Sequence, residues 1–223
     1  MPKHKLQRFA ELETFTNVFQ PRMGFPPKDF MLKGKWNSEH FCNENSIVLE
    51  LGCGRGEYTT KLSEMFPQKN FIGIDIKGAR LWRGAKTAVE NKMPNVCFIR
   101  TQIQWLEFFF GKEEVAEIWL TFPDPQLKKS RERKRLTSPR FLEMYQCILK
   151  PAGILHLKTD NKFLHDYTIE TAQQNNFSIA SATDDLYNSV LLDDVLAIRT
   201  TYEKMFLAQG ERICYLKMQN AEL

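Results

Sequence analysis

Ile47-Val48-Leu49-Glu50-Leu51-Gly52-Cys53-Gly54-Arg55-Gly56-Glu57 is the stretch whose reading decides the fold. An apolar run without strict alternation, closed by glycines, reads as a strand buried on both faces that ends in a tight turn. The glycines let the backbone bend sharply and approach a ligand with no Cβ in between. Behind them Leu62, Met65 and Phe66 share one helical stripe, so the turn opens a helix. Strand, glycine turn and helix in that order build a nucleotide pocket at the carboxyl edge of an α/β sheet.

Two carboxylates sharpen this reading. Glu50 stands just before the glycines, and Asp75 ends the next strand-like run, Phe71-Ile72-Gly73-Ile74. An acid about twenty residues past the turn is where ribose hydroxyls are held in dinucleotide folds. The spacing, however, is Gly-x-Gly-x-Gly, not Gly-x-Gly-x-x-Gly. With Glu-Leu ahead of it, the turn resembles motif I of the class I S-adenosylmethionine-dependent methyltransferases more than a dehydrogenase fingerprint. Glu50, Gly52, Gly54 and Asp75 are therefore candidate cofactor residues.

The 223 residues suit one domain, residues 46–223, preceded by a basic extension over 1–45. A net charge of +4 is only mildly basic, so where the charges cluster matters more than their sum. Five scattered cysteines without a Cys-x-x-Cys pair argue against a disulfide framework or a zinc site. The first residues lack the apolar stretch of a leader, and no run approaches membrane-spanning length. A cytoplasmic protein that needs no metal and no membrane is expected.

Residues 1–45 carry Lys3, Lys5, Arg8, Arg22, Lys28, Lys33 and Lys35, with Pro21, Pro26 and Pro27 breaking regular structure. They read equally as an arm packing Phe9, Phe15, Phe19 and Trp36 onto the domain and as a basic arm for a polyanion. From Ser46 onward strands are expected near 46–52, 70–75, 96–100, 115–122 and 153–159. Helices are expected near 56–66, 78–91, 137–149 and 161–174. This alternation predicts a doubly wound α/β fold with a mostly parallel sheet. Further strands are expected over Phe177–Ala182 and 213–216.

The strand ends supply the remaining candidates. Gln102 and Ile103 follow the third strand and offer an amide and an apolar face to an adenine, or simply turn into a helix over Trp105–Phe110. The fourth strand runs into Pro123-Asp124-Pro125, where two prolines fix the backbone around one carboxylate. A rigid acid-bearing loop at the carboxyl end of a central strand suits catalysis better than a plain turn. Directly behind it, Lys128-Lys129-Ser130-Arg131-Glu132-Arg133-Lys134-Arg135 sets six cations against one acid. A charge run is usually a solvated face, but beside a reaction centre it suits polyanionic phosphates. His156, inside the fifth strand, reads as a packed core histidine. No Ser/His/Asp or Cys/His set supports hydrolysis through a nucleophile. Thr200-Thr201-Tyr202-Glu203 reads as a helix N-cap with an acid in the first turn.

Taken together, Leu49-Glu50-Leu51-Gly52-Cys53-Gly54-x-Gly56, Gly73-Ile74-Asp75, Phe122-Pro123-Asp124-Pro125, Lys128-Lys129, Arg133 to Thr137, Lys158-Thr159-Asp160-Asn161 and Thr200 to Glu203 resemble the bacterial tRNA (guanine-N7)-methyltransferases over nearly all of 45–218. The resemblance implies a Rossmann-like class I methyltransferase fold with an antiparallel C-terminal strand. It implies S-adenosylmethionine held by Glu50, Gly52, Gly54, Asp75, Gln102, Ile103 and Asp124. It further implies tRNA met by Lys128, Asp160, Thr200, Thr201, Tyr202 and Glu203, in a monomer or homodimer. Gln126-Leu127 stand where the family usually has Trp-Pro, and Gln102 where it often has Asp.

The chemistry implied is methyl transfer to N7 of a variable-loop guanine. That nitrogen carries an in-plane lone pair and no proton, so no histidine base is needed, and Asp124 is the candidate catalytic group beside the developing charge. Three rivals stand beside it: an NAD-dependent dehydrogenase; a methyltransferase acting on another RNA, a protein or a small molecule; and a non-catalytic RNA-binding domain.

Overall fold

The structure, a computed structural model, describes residues 3–21, 24 and 27–221. Arg22 and Pro26 of the expected arm, and the side chain of Lys3, lie outside that description. The chain forms two compact units, residues 1–111 and 112–223.

In the first unit the elements run α1 (Lys3–Leu12), β1 (Val18–Phe19), β2 (Ser46–Leu51), α2 (Glu57–Met65), β3 (Lys69–Ile74), α3 (Gly78–Glu90) and β4 (Val96–Ile99). Its strands are all parallel, in the order β1-β4-β3-β2. Parallel neighbours need a crossover, and α2 and α3 supply the two between β2, β3 and β4. Leu49, Leu51, Ile72, Ile74, Phe98 and Ile99 are buried, as expected for strands covered on both faces.

Described residues of the N-terminal segment pack into the first unit. Trp36, fully buried in a wide helical turn over Trp36–Phe41, donates its indole N–H to the Phe109 carbonyl at 2.8 Å. Phe19, Phe30 and Phe110 surround its ring at centroid distances of 5.3–5.8 Å. Such aromatic pairs contribute about 0.5–1.5 kcal/mol each beyond the area they bury. The packing reading of this segment is visible here; Phe9 and Phe15 are half-buried.

The second unit runs β5 (Val115–Thr121), α4 (Pro139–Ile148), β6 (Leu149–Thr159), α5 (Lys162–Gln174), β7 (Phe177–Thr183), α6 (Thr201–Ala208) and β8 (Cys214–Asn220). Its order is β5-β6-β8-β7, with β5 and β6 parallel and β8 antiparallel to both neighbours. Leu120, Leu142, Tyr145, Leu155, Leu157 and Leu216 form its core.

Three boundaries differ from expectation for identifiable reasons. β6 begins at Leu149, not near 153, because Pro151-Ala152-Gly153 sits in a bulge opposite Val115–Glu117. β8 continues to Asn220 because Lys217 and Gln219 lie on its less buried face, alternating with buried Met218 and Asn220. The helix expected over Trp105–Phe110 is a tighter 3₁₀ turn over Ile103–Phe108. His156 is a core residue: its ring stacks on Trp119 at 3.8 Å and its Nδ1 lies 2.8 Å from the Tyr215 hydroxyl.

Candidate functional site

The glycine turn is tied to the neighbouring strand before any ligand arrives. The amides of Gly52 and Cys53 donate to the Ile74 carbonyl at 2.8 and 3.0 Å, locking the end of β2 to the end of β3. Asp75 follows at once. Its Oδ2 accepts the Gly54 amide at 2.9 Å and its Oδ1 the Lys77 amide at 2.7 Å. Each of these oxygens keeps a further lone pair for a ligand hydroxyl.

Gly52 has φ +75°, and a Cβ built there meets no atom within 4 Å, so open space stands over the turn. Gly56 serves packing instead. At φ +67° it caps α2, and a Cβ would lie 2.7 Å from the Phe98 ring and 3.2 Å from the Gly84 backbone. One glycine leaves room for a ligand; the other lets a helix and a strand close up.

Glu50 is buried, and its Oε2 accepts both the amide and the hydroxyl of Thr59. That oxygen holds the first turn of α2, where a carboxylate also complements the helix dipole. Burial, then the charges of Glu50 and Asp75, push the Cys53 thiol well up, so it is no thiolate nucleophile. Gln102 is exposed with its Oε1 taken by the Gln104 amide at 2.8 Å, and Ile103 is half-buried at the head of the 3₁₀ turn.

In the second unit Asp124 is exposed on a loop whose backbone is strained on both sides. Phe122 and Gln126 have φ +52° and +45°, the left-handed region that costs a non-glycine residue about 1–3 kcal/mol. Three contacts hold it there. The Phe122 amide donates to the Lys158 carbonyl at 2.8 Å, and its ring stacks on Phe206 at 5.8 Å. Asp124 Oδ1 accepts the Gln126 amide at 3.0 Å. Arg135 reaches in from behind: its Nε donates to the Pro125 carbonyl and an Nη to the Gln126 carbonyl, both at 3.2 Å.

Arg135 corrects the reading of the basic run. It is buried, with its guanidinium 4.3 Å from the Tyr167 ring centroid and 4.8 Å from that of Phe163. The other five cations, Lys128, Lys129, Arg131, Arg133 and Lys134, remain exposed. Tyr167 and Phe163 lie four residues apart on one face of α5, the spacing that places two rings side by side. Arg135→Ala should leave two loop carbonyls without their donor and destabilise the protein by about 2–3 kcal/mol. Amide exchange at residues 124–128 should then speed up while α4 stays protected. Unchanged exchange would mean that the prolines and the Phe122 and Asp124 contacts hold the loop without Arg135.

The last group gathers around β6 and α6. Asp160 is half-buried, and burial raises its carboxyl above the usual range. Thr200 caps α6, its hydroxyl accepting the Glu203 amide at 3.1 Å, while Tyr202 is 40% exposed. Glu203 departs from expectation. Its side chain has no accessible surface, and Oε1 sits 2.7 Å from Lys158 Nζ and 2.8 Å from the Tyr187 hydroxyl. Lys158 also donates to the carbonyls of Leu196 and Ile198 at 2.6 and 3.0 Å, and burial lowers its pKa. The carboxylate expected to meet a substrate is thus closed inside an ion pair that fixes α6 and the loop before it. Its geometry is that of a positioning group.

Among the described residues no three His, Cys, Asp or Glu side chains gather as metal ligands, and no helix is long and apolar enough to cross a membrane. The sequence expectations missed two roles, those of Arg135 and Lys158. A lone lysine inside the apolar strand Ile154–Lys158 was the available signal for the second.

Residues 44–216 match a family described as "Putative methyltransferase". The chain is 51% identical to the tRNA (guanine-N(7)-)-methyltransferase of Christiangramia forsetii, over 97% of this chain and 98% of that one. It is 50% identical to a protein of the same name from Bacteroides thetaiotaomicron, over 98% and 86%. At greater distance, one from Listeria innocua is 36% identical over 93% and 92%. Among solved structures, the 16S rRNA methyltransferase KamB shares 15% identity with a TM-score of 0.65, covering 85% of this chain and 94% of that one. The architecture is therefore the doubly wound, Rossmann-like fold of class I methyltransferases.

Proposed function

We propose, because this chain belongs to the tRNA (guanine-N(7)-)-methyltransferase family, that it methylates N7 of a variable-loop guanine in tRNA, with S-adenosylmethionine as donor. The observation that carries the cofactor assignment is the pairing of open space over Gly52 with a carboxylate, Asp75, that is held by two backbone amides and keeps acceptor capacity. A nucleoside's ribose hydroxyls fit such an acceptor. The carboxylates of Glu50 and Asp75 suit a cationic ligand. When bound, S-adenosylmethionine would supply an electrophilic methyl group on a sulfonium centre.

The chain's own residues then have limited but exacting work. Guanine N7 needs no deprotonation, so alignment replaces base catalysis, a proximity effect worth up to about 7–11 kcal/mol in favourable cases. Gly52, Gly54, Asp75, Gln102 and Ile103 hold the cofactor, and Glu50 holds the turn that presents it. Asp124, fixed by Arg135 and two prolines, acts on the purine as positive charge develops there. Asp160, Thr200, Thr201 and Tyr202 take the nucleotide, with Glu203 keeping α6 in place. Lys128 and the exposed cations behind it grip phosphates by charge. Five free cysteines suit a reducing, cytoplasmic setting.

The test is transfer of labelled methyl from S-adenosylmethionine to unmodified tRNA, followed by borohydride–aniline cleavage, which cuts at 7-methylguanine. One cut in the variable loop is expected. Label without that cut would move the target to another atom. Absence of label with the cofactor still bound would overturn the tRNA reading.

A further inference from the structure

The helices α1 and α3 carry a basic surface that the site described so far does not use. From Ile76 to Val89 the chain has four cations, Lys77, Arg80, Arg83 and Lys86, and no acid. α1 lies against α3 and adds Lys5 and Arg8. Lys5, Arg8, Lys77, Arg80 and Arg83 are all exposed, and Lys86 is half-buried. Glu11 on α1 is already spent, accepting the Trp82 indole N–H at 2.8 Å and pairing with Lys86 at 2.7 Å, and the other acid of the two helices, Glu90, stands at the last residue of α3.

Two independent features separate this surface from an ordinary solvated face. The first is charge segregation. Residues 3–12 and 77–90 carry seven cations against Glu11 and Glu90, and the 128–135 run carries six, of which Arg135 is buried, against Glu132. The rest of the chain must then be net acidic for the total to be +4, with eighteen basic residues left against twenty-four acidic. Charge gathered into two patches on an otherwise acidic protein is the footprint of a polyanion partner.

The second is order. The Trp82 ring carries Arg8 at 4.8 Å and Lys86 at 5.1 Å from its centroid. A ring so engaged is less a platform for stacking a base than a scaffold that fixes two cations and lowers the entropy lost on binding phosphate. The patch also begins at Lys77, whose amide is bound by Asp75, so it starts beside the proposed cofactor turn.

We propose that the α1–α3 face is a second tRNA-binding surface, taking backbone phosphates outside the methylated loop. This rests on the tRNA reading above and deepens it. The contact is electrostatic and carries no sequence choice.

The experiment uses the full chain and measures binding of unmodified tRNA across a salt series, without turnover. Arg8→Gln/Arg80→Gln/Arg83→Gln should weaken binding about tenfold or more near 0.1 M salt and flatten the slope of log Kd against log salt by about two. Arg83→Glu alone, at an exposed position with no carboxylate partner among the described residues, should show the same trend if the triple variant folds poorly. An unchanged slope with intact wild-type binding overturns the surface alone. Failure of the wild type to bind tRNA overturns the tRNA reading and this surface with it. Loss of binding to phosphatidylglycerol vesicles, with tRNA affinity untouched, would give the face to a membrane and overturn the proposal.

Discussion

Asp124→Asn should lower single-turnover methyl transfer to tRNA at saturating cofactor by about 10²–10³-fold while leaving the fold close to wild type. The magnitude is that of removing one preorganised electrostatic group from a transition state. The side chain is exposed and its oxygen accepts the Gln126 amide, a bond that an asparagine oxygen can still make. The substitution therefore tests charge more than shape. Near-normal turnover at saturating cofactor and tRNA would remove Asp124 from the catalytic role and leave it as a loop brace.

The second large effect is on stability. Lys158→Met should strip the ammonium from a carboxylate with no solvent access, and breaking a buried pair by removing one partner costs about 3–5 kcal/mol. For a chain of this size that corresponds to a fall in Tm of about 10 °C or more. Lys158→Met/Glu203→Leu should recover much of the loss, because replacing both charges leaves neither stranded. Thermal unfolding of the two variants checks this. If the single variant melts with the wild type, the pair is not holding α6.

The frame of the molecule was legible because its signals are local. Apolar runs, glycines and acids placed β2, β3, α2 and Asp75 within a residue or two, and Pro-Asp-Pro marked the Asp124 loop. What could not be read was the burial of charge. Arg135 looks like the last member of a basic run, and only Tyr167 and Phe163, on a helix formed later in the chain, draw it inward. Lys158 and Glu203 sit in separate motifs, and nothing in either motif says that they neutralise each other. The bulge that lengthens β6 is a partial case: Pro151 and Gly153 mark a break, but only pairing with β5 shows that the strand continues on its far side.

The two-residue strand β1 has a consequence out of proportion to its length. Its partner β4 would otherwise leave a row of backbone donors and acceptors open to another chain. Asn17 and Phe19 carbonyls instead accept the Phe98 and Arg100 amides at 2.8 Å. Uncovered strands of this kind seed self-association. The segment ahead of Ser46 thus acts as a built-in guard against aggregation, and a chain shortened to the glycine-turn strand should self-associate more readily.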